Sequence, residues 1–304
     1  MRSRVGYLAG SGHSGSTLLA LLMDCHPEIV SVGETSFKPR HRHAGRFDQR
    51  CSCGRTYGEC EFWGRVFAAI DRRGFEAGPK AWPNDYRYAD PRLHRMLTRY
   101  SSVRAIRQAQ YLAEEWLPFH RSWLRRADRA NVAFIEALLE ASGAQVFFDT
   151  SKRAQRLRHL LRVPELDVKI VLLVRDVRGY VASAKRRGLP VQDEARAWLS
   201  HRLVLDEIAA AVPADRRRVV RYEDLCGNPR EVVPDLHVFL GVPPLEPPPV
   251  IVPREHHVLG NRLRHQDEIR LRLNDSWRTM LTADEVADAL RIAGAQNRAL
   301  GYAN

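Results

Sequence analysis

The stretch that decides the fold is VGYLAGSGHSGSTLLALLMD, residues 5–24. It opens on a short apolar, β-prone run from Val5 to Ala9 and breaks into glycine, serine and histidine. It then resumes as TLLALLMD, too densely apolar for an exposed helix and suited to a buried one. The order is strand, loop, helix. Glycines at 10, 12 and 15 let successive backbone amides turn inward, and the helix N-terminus adds partial positive charge, so residues 10–17 form a cradle for a phosphate or sulfate group. Ser11, Gly12, His13, Ser14, Gly15, Ser16 and Thr17 are the first candidate binding residues. Gly10, Gly15 and Thr17 fit the phosphate-loop pattern of nucleotide hydrolases, but Ser16 stands where the lysine belongs, which argues against an ATPase.

Working outward, Ile29 to Val32 follows the His26-Pro27 turn as a second strand, and Gln145–Phe148, Lys169–Val174 and Arg218–Tyr222 are further apolar runs of the kind a doubly covered parallel sheet buries. Helical stretches follow them: residues 151–166, 176–188, Val232–Leu240 and, in the tail, Ala283–Leu300. This alternation predicts an α/β chain, a single P-loop-like doubly wound domain with a central parallel sheet over 1–304. Residues 37–130 interrupt the pattern as a mainly helical, Cys-containing insertion, placed by its exit from the strand ends to line an acceptor site. Its aromatics, Trp82, Tyr86, Tyr88, Tyr100, Tyr111, Trp116, Phe119 and Trp123, read mostly as the core of a helical cap.

The chain carries 48 Lys plus Arg against 36 Asp plus Glu, a net charge of +12, and all but five of the basic residues are Arg. A GC-rich coding composition would inflate Arg in this way; a polyanionic partner would use it, because guanidinium forks match phosphate and sulfate oxygens. No run approaches the roughly 18 apolar residues of a membrane span, and glycine and histidine interrupt the N-terminus before a signal-peptide core develops, so the expectation is a soluble, cytoplasmic protein. Cys25 and Cys226 sit in apolar contexts. Cys51, Cys53 and Cys60 cluster in CSCGRTYGEC after His41 and His43, but a single C-x-C with a lone third cysteine departs from familiar zinc spacing. A local disulfide or packed thiols is the expectation there, and no metal is assigned.

A second anion grip is read in LVRDVRGYVAS, where Arg175 ends a strand and Ser183 lies in the next helix. Two such grips on one sheet edge suit a nucleotide with phosphates at both ends. Transfer of a charged group to a hydroxyl also needs a base and donors for the moving oxygens. Glu34, in VGET, is the carboxylate that ends a strand beside the loop, and Lys152, in DTSK, is a cation at another strand end. Asp149 reads as a structural acceptor for loop amides.

The ordered set 10–34, CSCG with CEFW, DTSK, LVRDVRGYVAS, RYEDL with FLGV, and HHVLGNRLR resembles the sulfotransferases that use 3'-phosphoadenosine 5'-phosphosulfate (PAPS), in the bacterial branch related to tyrosylprotein and carbohydrate sulfotransferases. The resemblance implies that residues 11–17 hold the 5'-phosphosulfate and that Arg175 with Ser183 holds the 3'-phosphate. It implies that Tyr222 packs near the adenine, and that Asn261 and Arg264 belong to a late loop closing over the nucleotide. Glu34 aligns with the base of the tyrosylprotein branch, and His13 stands where relatives carry Lys or Arg, leaving open whether the imidazole is charged. The implied donor is PAPS and the product 3',5'-ADP, with no metal required. The acceptor is a small-molecule or glycan hydroxyl, a phenolic natural product or a peptide tyrosine, with no nucleic acid as partner. The rival readings are a P-loop nucleotide kinase or NTPase, and a non-enzymatic polyanion- or nucleic-acid-binding protein with steep salt dependence.

Overall fold

The computed structural model describes residues 2–35, 50–78, 86, 92, 100–260 and 262–303. His41, His43, Trp82, Tyr88 and Asn261 lie outside the described residues. Five strands among the described residues form one parallel sheet: β1 (Ser3–Gly10), β2 (Ile29–Val30), β3 (Val146–Asp149), β4 (Leu166–Val174) and β5 (Arg217–Arg221), in the order β2-β3-β1-β4-β5. The second strand is shorter than the sequence suggests, because after Val30 the chain leaves the sheet and pairs with a late segment instead.

The inner strands β1, β3 and β4 are rich in apolar residues because both their faces are covered. In β1, Val5, Tyr7 and Ala9 enter one core layer and Leu8 the other; in β4, Val168, Ile170 and Leu172 alternate with Val171 and Leu173 in the same way. The first layer is closed by α4 (Pro118–Ser142), α5 (Ala154–Leu160) and α7 (Val191–Ala210). The second is closed by α1 (Ser16–Asp24), α8 (Tyr222–Gly227) and α9 (Pro229–Leu240). At about 1.5–3 kcal/mol per large apolar side chain fully buried, these two layers supply the main drive to fold. A third cluster joins α6 (Val177–Lys185) and α7 to α11 (Ala283–Ala299), beyond the short α10 (Trp277–Met280).

From β1 the chain crosses to β2 at one edge, and from β3 it returns past β1 to β4, so the loop after β1 sits where the winding direction reverses. Open α/β sheets bind ligands at that point.

Within the expected insertion, α2 (Glu61–Arg72) packs on α4 and α4 on the sheet, and α4 runs past residue 130 to Ser142. The helix α3 (Arg104–Trp116) lies toward the strands' N-terminal ends, where Gln108 and Tyr111 share a groove with Arg2 and Leu166. Trp116 is 76% exposed and Phe119 54%, so these two aromatics are surface residues and not core. Cys226 is buried; Cys25 is half-buried with its thiol 3.7 Å from His256 Nε2. None of the five cysteines is in a disulfide. No helix among the described residues is long and apolar enough to cross a membrane.

Candidate active site

The loop between β1 and α1 is built on Gly15, whose φ of 91° places it in the left-handed region that glycine tolerates. A Cβ there would also stand 2.5 Å from the Tyr222 ring, so the residue is fixed by space as well as by conformation. Ser14 donates its hydroxyl to the Ser11 carbonyl at 2.6 Å, closing the loop on itself. The helix α1 has no side-chain cap and no acidic residue in its first turn, which leaves its leading amides and dipole without an internal anion. Ser16 and Thr17 are buried at its start.

A lysine reaches the loop from another strand end. Lys152 Nζ donates to Ser16 Oγ at 2.7 Å and pairs with Glu34 Oε1 at 2.5 Å, so three sequence-distant candidates meet at the loop. The turn that presents Lys152 is wound on a fully buried pair: Asp149 accepts from Ser151 N at 2.9 Å and from Arg156 Nε at 2.7 Å. The buried Tyr7 hydroxyl bonds both the carbonyl and the amide of Arg153, each at 2.9 Å, and pins the turn to the centre of the sheet. Lys152 has φ 61° and His13 φ 62°, and among the described residues these are the non-glycine positions with positive φ. Such backbone costs on the order of 1–3 kcal/mol, and here it is spent at two neighbouring points of one cleft.

Glu34 is half open to solvent. Its backbone is held from behind. Leu259 N donates to Val32 O at 2.7 Å, Gly33 bridges Leu259, and Thr35 Oγ1 lies 2.8 Å from Ser151 Oγ. Gly33 has φ 76°, and a Cβ on it would fall 1.8 Å from the Leu259 carbonyl oxygen, so no other residue fits.

His13 is an exposed residue of the loop, its ring centroid 6.5 Å from that of Tyr180. Partial burial of the ring against the loop, with the positive charges of Arg187, Lys152 and Arg175, lowers its pKa to about 4 against the upward pull of Glu34. The shift is in the direction that favours the neutral imidazole in the free protein.

Arg175 leaves β4 and ties the edge together. It donates to the carbonyls of His13 and Asn274, each at 2.8 Å, lies over the Tyr222 ring at 4.3 Å, and approaches Ser183 Oγ at 3.4 Å. The two members of the second expected grip are thus adjacent. Tyr222 is buried, packed between Gly15 and the Arg175 guanidinium, where it supports the loop from beneath. Arg264 is buried too, donating to Gly260 O at 2.5 Å and Arg50 O at 3.3 Å, so its guanidinium braces the late segment against the Cys loop. Three neighbours escape the sequence reading: Arg187, whose charge acts on His13; His201, whose pKa is lowered by burial and by the charges of Arg202 and Lys152; and Asn274. Arg187 follows directly on the LVRDVRGYVAS helix, a usable signal; His201 and Asn274 carry none.

No protein-family model matches the chain. Over its full length it is similar in fold to the sulfotransferase domain from the Synechococcus PCC 7002 olefin synthase, with a TM-score of 0.56 and 20% identity, covering 100% of this chain and 97% of that domain. The sulfotransferase domain from the curacin biosynthetic pathway gives a TM-score of 0.52 and 17% identity, covering 97% of this chain and 98% of that one. The fold is that of the sulfotransferase domains. In sequence, the chain is 30% identical over 111 residues to carbohydrate sulfotransferase 1 of Rattus norvegicus and, equally, of Mus musculus, a match to 29% of this chain and 26% of each relative. The chain thus spans about a quarter of the length of the curated relatives it matches.

Proposed function

We propose that this protein is a PAPS-dependent sulfotransferase that sulfates a hydroxyl group, the whole chain 1–304 acting as one catalytic domain in the cytoplasm. The observation that carries the reading is the meeting of Ser16, Lys152 and Glu34 at an uncapped, acid-free helix N-terminus. The uncapped α1 amides, with Ser16 and Thr17, suit the phosphosulfate of the donor. Arg175 and Ser183 suit the phosphate at its other end. Asn261 and Arg264 belong to the segment we assign to closing the nucleotide site, Asn261 from its sequence position alone.

PAPS supplies an activated sulfuryl group: the acceptor oxygen–sulfur bond forms as the sulfur–oxygen bond to the phosphate breaks, leaving 3',5'-ADP. Glu34 takes the acceptor hydroxyl proton. Lys152 and the loop amides hold the charge that accumulates on the departing oxygens, and Ser16 fixes the lysine ammonium beside them. His13, its shift favouring the neutral imidazole, offers a hydrogen-bonding edge in place of a fixed charge. The partial similarity to carbohydrate sulfotransferase 1 puts sugar hydroxyls first among the acceptors, ahead of phenolic natural products and peptide tyrosines.

The test is transfer of labelled sulfate from PAPS to a panel of sugars, phenols and tyrosine peptides without added divalent metal. Label in at least one acceptor, lost in Glu34→Gln, is the expected result. Magnesium-dependent ATP turnover with no sulfate transfer would point to the kinase reading and sink this one.

A further inference from the structure

The three cysteines of the CSCGRTYGEC segment converge with a residue from the far end of the chain. His257 Nδ1 lies 3.4 Å from both Cys51 Sγ and Cys60 Sγ, Cys53 Sγ lies 3.7 Å from Cys60 Sγ, and all four atoms fall within 4.8 Å of one another. A tetrahedral zinc with Zn–S of about 2.3 Å and Zn–N of about 2.0–2.1 Å requires S···S edges of about 3.8 Å and S···N edges of about 3.5 Å. The atoms already stand near those separations. We propose that Cys51, Cys53, Cys60 and His257 form a structural zinc site that fastens the late segment to the Cys loop behind Glu34.

The surroundings are those of a built site. Cys51 opens a tight turn, its carbonyl accepting from Gly54 N at 3.0 Å, and Cys60 sits at the N-cap of α2 with its amide on Thr56 O at 2.9 Å, so both thiols are aimed by backbone. Ser52 donates to His256 O at 2.5 Å and accepts from Val258 N at 2.9 Å, clamping the residues on either side of His257. Phe62 stacks flat on the His257 ring at 4.5 Å. Such partners orient metal-bound ligands. Three thiolates, an imidazole and Zn2+ sum to −1, and Arg55 and Arg65 line the open side; Arg55 is shared with Glu61. Four protein ligands leave no position for substrate, which makes the site structural and not catalytic. A Cys53–Cys60 disulfide would account for two of the four residues and leave Cys51 and His257 without a reason to meet.

The placement gives the metal a task. His257 is two residues from Leu259, whose amide holds Val32 beside Gly33 and Glu34, and three from Gly260, which packs on Thr17 of the loop. Next to it, His256 Nδ1 bonds Asp24 Oδ2 at 2.7 Å at the end of α1. A metal at the four ligands would hold the strand end that presents Glu34 and the segment over the loop in one frame.

The full-length protein, purified from metal-unsupplemented culture and dialysed, should contain about one zinc per chain by mass spectrometry of the elements. Cobalt substituted for the zinc should give the visible bands of a tetrahedral thiolate site. Cys60→Ser and His257→Ala should fall below about 0.2 zinc per chain, Cys226→Ser should keep its zinc, and His257→Cys should keep it by restoring a fourth ligand. A wild-type protein that contains no zinc and takes none up from Zn2+ against a competing chelator overturns the proposal, whatever the variants do. So does a Cys53–Cys60 disulfide in the intact protein, or iron in place of zinc. The measurement reads metal and not turnover, so it stands or falls independently of the sulfotransferase assignment.

Discussion

The Gly-rich loop and the Cys–His cluster flank Glu34, yet they are assembled in opposite ways. The loop is a contiguous run between β1 and α1, whose glycines, hydroxyls and helix start lie in reading order. The cluster joins Cys60 to His257 across 197 positions, and its fourth ligand has no local sequence feature to announce it. A contiguous motif carries its own geometry, because backbone conformation and helix dipole are local consequences of sequence. A remote cluster borrows its geometry from the sheet, and the chemistry appears only once the fold has brought the pieces together.

That contrast can be broken. The loop side should carry the chemistry, so Glu34→Gln is expected to lower the transfer rate by about 10²–10⁴-fold while leaving 3',5'-ADP affinity within about threefold. Equal losses in rate and nucleotide affinity would show Glu34 to be a brace and not a base. Lys152→Met, which removes the charge and keeps much of the stem, should reduce turnover by about 10²–10³-fold. A rate within a few-fold of wild type would leave the loop amides as the whole of the charge-stabilising apparatus.

The other side of Glu34 should respond in stability. Gly33→Ala forces a Cβ onto the Leu259 carbonyl at a positive φ, and a loss of about 1–3 kcal/mol or more is expected in denaturant unfolding. A neutral substitution would mean that the late segment is free to move away from the strand end. The smallest effect is a titration. His13 followed by NMR in the free protein should show a midpoint near 4. Because the folded value lies below the ordinary histidine range, the unfolded chain binds the extra proton first. This residue's contribution to stability is therefore whole above about pH 6.5 and declines as pH falls toward 4. A midpoint at or above 6.5 would contradict the cationic surroundings assigned to the ring.

Much of the fold was legible for the same reason as the loop. The apolar runs around Val5, Phe147 and Ile170 became β1, β3 and β4 within a few residues, because strands covered on both faces demand apolar sequence, while the edge strand β5, RRVVR, buries Val220 and leaves Val219 exposed. The crossover helix α7 was not delineated, since Arg and acidic residues interrupt its apolar spacing, and with it His201 was missed. Trp116 and Phe119 illustrate the limit of composition: aromatic residues in a helical stretch suggest a core, but here the end of α3 and the start of α4 leave them exposed. Of the site, Glu34, Lys152 and the loop residues were found from strand ends and motifs, and the structure brings them together. Tyr222 and Arg264 are named from the resemblance as nucleotide contacts; what the sequence does not show is that the ring packs against Gly15 and that the guanidinium donates to two backbone carbonyls. Those are long-range packing outcomes that no local pattern encodes.

The central claim is that the sheet edge from Gly10 to Arg175 is a site for a bisphosphorylated adenosine, and calorimetry with 3',5'-ADP tests it most directly. Binding that is at least about tenfold tighter than that of 5'-AMP, a difference of about 1.4 kcal/mol, and that is lost in Arg175→Ala, is the predicted result. Equal binding of 3',5'-ADP and 5'-AMP, or full binding by the variant, would contradict it.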